Sequence, residues 1–176
     1  MRQWVETYYD LDHAEYLTSR NRELPRHISR LIQDFSLPKD KIREVVQIGP
    51  GLGNETIILR NTFPRAQLIA IDHDPIALAK ARQTADQTIE FDAMSWLADI
   101  SKPQSDSSRL VVALRTSPAI VSGLLQIPSS GDIRIASLVG PKPAEDQLVA
   151  SLRRQGIPIV AIDERRGFYD FAFRLP

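Results

Sequence analysis

From Arg43 onward, short runs rich in apolar and β-branched residues alternate with segments of helical periodicity. The runs are "EVVQI", "AQLIAID", "TIEF", "RLVVAL", "DIRIASLV", "IPIVAID" and "FYDFAFRL". Between most of them lie "NETIILRNTF", "PIALAKARQTA", "PAIVSGLLQI" and "PAEDQLVASLRRQ". Parallel strands need a long crossover, and a helix laid over the sheet supplies it, so this order predicts a parallel sheet covered on both faces. Gly156 and Pro158 mark the end of the last helix and the start of the next strand. Only "ERRG" separates the final two runs, which is too short for a crossover and suits an antiparallel hairpin. The expectation is an α/β fold: a three-layer α/β/α sandwich with a mostly parallel seven-stranded sheet ending in an antiparallel hairpin.

A helical prefix precedes the alternation. In "LPRHISRLIQDF", Leu24, Ile28, Leu31, Ile32 and Phe35 share one helical stripe, and Pro25 suits the first turn. "WVETYYDLDHAEYLTSR" reads as helix on a weaker pattern, and "SLPKDK" as the turn that closes the prefix. The division is residues 1–40 as prefix and 41–176 as the sheet domain.

At 176 residues, with 43% hydrophobic and 25% charged residues, the chain suits one globular unit with a substantial core. The 22 basic residues balance the 22 acidic ones, which argues against a long nucleic-acid partner. There is no cysteine, so disulfides, thiolate nucleophiles and cysteine metal sites are excluded. His13, His27 and His73 lack metal-ligand spacing, and no metal is expected. The first residues carry acids and no apolar core run, no stretch is long enough to span a bilayer, and the expected location is the cytoplasm.

The chemistry concentrates in "VVQIGPGLGNETIILRNTFPRAQLIAIDHDP". Gly49, Gly51 and Gly53, with Pro50 between the first two, fall where a strand turns into a helix. Glycine there allows a tight turn and lets a ligand approach without meeting a Cβ. Asp72 ends the next strand, 19 residues after Gly53, where a carboxylate can accept both hydroxyls of a ribose at the carboxyl edge of an open sheet. The stretch therefore reads as an adenosine-type cofactor site. The bland alternative is a plain tight turn beside an unrelated acid. The dinucleotide fingerprint would place its third glycine at Asn54, and this chain has Gly-x-Gly-x-Gly instead.

In this respect residues 43 to about 93 resemble the class I (seven-stranded, Rossmann-like) S-adenosylmethionine-dependent methyltransferases, on "VVQIGPGLGNET" and "LIAIDHDPIALAKAR". Beyond them only the order of elements matches. The resemblance implies S-adenosyl-L-methionine as cofactor. It places the loop Gly49–Gly53 under the methionine and ribose portions, Asp72 on the ribose hydroxyls, and His73 in the same crevice. Asp92 and Ala93, in "IEFDAM", would meet the adenine amino group, and Leu114 to Thr116 would border the reactive methyl. Gln47 stands where the family carries an acid; it keeps an acceptor oxygen and loses the charge.

The loop "LRTSPA" lacks the Asn/Asp-Pro-Pro-aromatic signature of enzymes that methylate nucleic-acid bases, so the resemblance points to a small-molecule acceptor. Arg115 could pair with an anionic one. "YYDLDHAEY" loosely resembles the lid-helix opening of the small-molecule group, with one residue too many between Asp10 and Ala14. Tyr8, Tyr9, His13 and Tyr16 are thus candidate lid and acceptor-pocket residues. His13 is the candidate general base, because imidazole titrates near neutrality. Three readings stay open. One is a small-molecule methyltransferase whose pocket is completed by the prefix or by a second subunit in a homodimer. Another is a fold sibling attacking the cofactor's carbon chain (aminocarboxypropyl-type transfer), and the third is a catalytically inactive cofactor-binding scaffold.

Overall fold

The structure is a computed structural model, and it describes residues 25–26, 28–51, 53–93, 95–96, 108–116, 118–126, 133–141, 149–165 and 168–175. Helical residues 28–34 form α1. There follow β1 (Ile42–Ile48), α2 (Asn54–Thr62), β2 (Gln67–Asp72), α3 (Pro75–Ala81), β3 (Gln87–Glu90) and β4 (Ser108–Thr116). Then come α4 (Pro118–Gln126) and β5 (Ile133–Pro141), α5 over 149–154, β6 (Ile159–Arg165) and β7 (Phe168–Leu175).

The sheet order is β3-β2-β1-β4-β5-β7-β6. Strands β1 to β5 pair in parallel, and β7 lies antiparallel to both β5 and β6. The chain winds outward one way from β1 through β2 to β3, and the other way from β4 to β5. The direction reverses between β1 and β4, and at such a switch point the loops leaving adjacent strands diverge and open a crevice.

Strand alternation builds two cores. Val45, Leu68, Leu110, Val112 and Leu114 face Ile28, Leu31 and Phe35 of the α1 region and Leu59 of α2. Val46, Ile48, Ile71, Val111 and Ala113 face Val121 and Leu124 of α4 and Val149 and Leu152 of α5. Burying the central strands on both faces is what their unbroken apolar runs require. Each fully buried leucine or isoleucine contributes roughly 1.5–3 kcal/mol, so the layers are held mainly by these two clusters.

The helix ends follow local chemistry. Asp74 caps α3 by accepting from the Ile76 N–H at 2.8 Å, and Pro75 occupies its first turn. Sequence periodicity extends α3 to residue 85, whereas the helix stops at Ala81 and 82–84 tighten into turns. The two ends at Ser36 and Gly156 share one geometry. Leu37 N–H donates to Ile32 O at 2.9 Å and Ile157 N–H to Leu152 O at 3.0 Å, with φ of 49° at Ser36 and 71° at Gly156. This is the left-handed stop that closes a helix and reverses the chain.

Candidate functional site

The carboxyl edge of β1 runs into the glycine loop. Gly49, Gly51 and Gly53 have φ of 70°, 53° and 82°, a region that side chains disfavour. A Cβ at Gly49 or Gly51 would meet nothing within 4 Å, so the loop's outer side is open. Gly53 differs: a Cβ there would lie 3.3 Å from Lys80 Cβ and 3.4 Å from the Lys80 backbone carbon. The third glycine thus lets α2 start against α3. Pro50 is buried, and Gly53 N–H closes the turn onto Pro50 O at 2.9 Å.

The loop is tied directly to the tip of β2. Gly49 N–H donates to Ile71 O at 2.9 Å, one residue before Asp72. The Asp72 side chain is 11% exposed. Its Oδ1 accepts from Asp74 N–H at 3.0 Å and lies 3.2 Å from His73 Nδ1. Burial pushes the Asp72 carboxyl above the usual carboxylate range, against the opposing pull of the Asp74 amide and of His73. His73 itself is 68% exposed at the mouth.

At the tip of β3, Asp92 is used locally. Its Oδ2 accepts from Ser95 N–H at 2.9 Å and Ser95 Oγ–H at 3.0 Å, capping a short helical turn. Any role toward a ligand is shared with that capping. Ala93 is half-buried against the α4/α5 core with Trp96. Phe91, whose N–H donates to Asp72 O at 3.0 Å, stays 45% exposed, and Ile76, beside the Asp74 cap, 53%. These two apolar side chains were not singled out from sequence, where a lone Phe or Ile at an element's end carries no signal.

Gln47 is the least expected member. It is 1% exposed, and among the described residues neither Nε2 nor Oε1 has a hydrogen-bond partner. Strand alternation puts it on the face of Val45, with Ala70 and Val112 as its register neighbours. Thr56 shares its condition: fully buried, with an unpartnered hydroxyl. Thr56 was missed from sequence; the available signal was its place one turn before Leu59, on the helix face toward the sheet. Leu114 is buried on this same face at the tip of β4. Between Ala113 and Thr116 the β4–β5 register shifts, and pairing resumes at the tip with Thr116 opposite Leu138. Arg115 lies in this stretch; its side chain, like Tyr8, Tyr9, His13 and Tyr16 of the prefix, falls outside the described residues. Among the described residues no cluster of His, Asp or Glu could hold a metal ion, and no helix is long and apolar enough to cross a membrane.

No family model matches the chain. It is 34% identical over 98 residues to trans-aconitate 2-methyltransferase of Escherichia coli, covering 54% of this chain and 35% of that protein. It is 25% identical over 139 residues to malonyl-[acyl-carrier protein] O-methyltransferase of Xylella fastidiosa, covering 75% and 47%. The chain thus spans between about a third and a half of these curated relatives. Among solved structures, magnesium protoporphyrin IX methyltransferase from Synechocystis with bound SAM superposes with a TM-score of 0.62 at 15% identity, over 99% of this chain and 90% of that one. Human methyltransferase-like protein 13 in complex with SAH gives 0.60 at 14%, over 89% and 82%. The chain has the class I S-adenosylmethionine-dependent methyltransferase fold.

Proposed function

We propose that this chain is an S-adenosylmethionine-dependent methyltransferase acting on a small molecule. The observation that carries the reading is the coupling of the left-handed glycine loop to Asp72 through the Gly49–Ile71 hydrogen bond. That pairing sets an open backbone cradle beside a half-buried carboxylate, which suits a nucleoside with a polar tail. The residues fit such a cofactor on three counts. Gly49 and Gly51 leave open space, Asp72 offers acceptor oxygens for a ribose diol, and Phe91 and Ile76 offer apolar surface for a flat base. Gln47 and Thr56 hold buried polar atoms awaiting partners.

When bound, the cofactor supplies a methyl group on a sulfonium. A base on the chain would be needed only where the acceptor atom carries a proton at neutral pH. The chain's own part is positioning, which can provide most of the acceleration. The acceptor side is assigned to Arg115, in the irregular stretch before the tip of β4, and to Tyr9 and His13 of a lid formed by the part of the prefix that precedes α1, with His13 taking the proton. A second subunit in a homodimer is the other means of closing the pocket, and the cytoplasm is the expected location. Two relatives are named for trans-aconitate and for malonyl-[acyl-carrier protein], and on that likeness the acceptor screen begins with small carboxylates.

Calorimetric titration with S-adenosylmethionine and S-adenosylhomocysteine tests the reading. Binding in the micromolar range, followed by S-adenosylhomocysteine release with a carboxylate acceptor, is expected. Release of methylthioadenosine would mean carbon-chain transfer instead, and a folded protein that binds neither ligand would overturn the assignment.

A further inference from the structure

His73 is itself open to solvent and yet stands against a group that is not. Its side chain is 68% exposed, so its removal would bare little surface, while its Nδ1 lies 3.2 Å from Oδ1 of Asp72, whose side chain is 11% exposed. A carboxyl withheld from water resists ionisation, and burial is the largest influence on this one. The same Oδ1 accepts from the Asp74 N–H at 3.0 Å. Neither contact engages Oδ2, which leaves that oxygen for a ligand.

The other charges that neighbouring elements bring to this edge are mostly acids. Asp74 follows on the same turn, Glu90 is opposite Asp72 in the β2–β3 register, and Asp92 comes two residues after Glu90. The first turn of α2 carries Glu55, and α3 carries Lys80, against which Gly53 packs. The end of β1, Gln47 and Ile48, carries no charge. Among the described residues, His73 is the group whose charge favours an ionised Asp72, and Asp74 is the one whose charge opposes it.

We infer that His73 is a positioning residue for the cofactor: its imidazolium, beside Oδ1, holds the Asp72 carboxylate ionised as the solution becomes acidic, so that Asp72 keeps accepting from the ribose hydroxyls. This rests on the cofactor reading and goes beyond it, because it makes affinity depend on a side chain that need not touch the ligand. The sign follows from the two charges. Imidazoles ordinarily gain their proton between about pH 8 and 5, before carboxylates gain theirs. The cation is therefore in place when Asp72 begins to be threatened, and it delays the loss of the acceptor. Without it, burial acts unopposed by a neighbouring cation and the carboxylate is lost earlier on the way down.

The test needs no turnover. Wild-type protein, His73→Gln and His73→Lys are titrated calorimetrically with S-adenosylhomocysteine in steps from about pH 8 to about pH 5. Wild type and His73→Gln should bind alike at the alkaline end. On acidification His73→Gln should fall behind by about threefold, the size of an exposed ion pair, and His73→Lys, which keeps the charge, should follow wild type. The ligand-free protein gives an independent reading by NMR. The Asp72 carboxyl carbon, assigned by its absence in Asp72→Asn, should titrate at higher pH in His73→Gln than in wild type. Coincident carboxyl titrations would overturn the inference and leave the cofactor reading standing. So would a deficit of His73→Gln that is the same at every pH, which would mean direct contact with the ligand or support of the loop. A carboxyl that shifts while the affinities stay equal throughout would take Asp72 off the ribose, and the inference with it. Wild-type protein that binds no S-adenosylhomocysteine at any pH would overturn the cofactor reading itself, together with what is built on it.

Discussion

At the amino edge of the sheet Asp86 lies open to solvent, with an amide and a guanidinium on one oxygen; at the carboxyl edge Asp72 is withheld from water, with no cation beside it among the described residues but His73. Asp86 Oδ2 accepts from Leu68 N–H at 2.7 Å and pairs with the Arg60 guanidinium. Arg60 also donates to Ala66 O at 3.0 Å, so one side chain of α2 ties together the approaches to β2 and β3. The Leu68 amide, and then Arg60, hold the Asp86 carboxyl below the usual range. Further along that edge Arg109 lies 3.8 Å from Glu44, and Arg134 donates to Leu124 O at 2.7 Å. The opposite edge carries three left-handed glycines, the unpartnered atoms of Gln47 and Thr56, and a carboxyl whose ionisation burial disfavours. The same two residue types, acid and backbone amide, build a clasp at one end and a vacancy of hydrogen bonding at the other. On the proposed function, stability and binding fall to different ends of the same strands.

Substitution at the carboxyl edge should break that division most visibly. Asp72→Ala should lower affinity for S-adenosylhomocysteine by at least about a hundredfold, or about 2.7 kcal/mol, while the melting temperature stays level or rises. Calorimetry and a thermal melt on the same sample decide it, and unchanged affinity would remove Asp72 from the ribose. Gly53→Ala should act on both properties. It places a side chain at φ 82° and against Lys80, and should cost about 2 kcal/mol of stability together with some affinity. Gly51→Ala, with open space beside it, should cost less, and urea unfolding of the two variants compares them.

The smallest effect belongs to the amino edge. Asp86→Asn should destabilise by about 1 kcal/mol after allowing for its exposure to solvent, and should leave ligand affinity unchanged. Because its carboxyl is held low, the stabilisation is present above the ordinary carboxylate pKa of about 3.9 and is lost as pH falls through the lower folded value. The deficit of the variant should therefore shrink on acidification. Asp72 has the opposite sign: ionised, it weakens the fold, so Asp72→Asn should gain stability at neutral pH and lose that gain below the ordinary range. Urea titrations at neutral and acidic pH separate the two signs.

Much of this was readable in advance, for definite reasons. The parallel core, the glycine loop and Asp72 at a strand tip follow from periodicity and residue chemistry local in sequence. Asp86, Thr56 and the Gly53–Lys80 contact do not, because each acquires its meaning from a partner or a void brought near by folding. Asp86 and Leu68 are 18 positions apart, and nothing in "TADQT" marks its acid off from any turn carboxylate. Gln47 was conspicuous as a departure from a pattern; that its amide would be buried with no partner required the sheet and α2 to be in place.

The Gly53 contact also bears on how such a chain can change over generations. The one tight neighbour of a Cβ at position 53 would be Lys80 Cβ at 3.3 Å; the Lys80 backbone carbon and oxygen, at 3.4 and 3.5 Å, are ordinary contacts. A glycine at position 80 would remove that clash, but no change at position 80 alters the φ of 82° at Gly53, which side chains disfavour. A lineage that lost this glycine would thus keep the backbone strain even after making room beside α3.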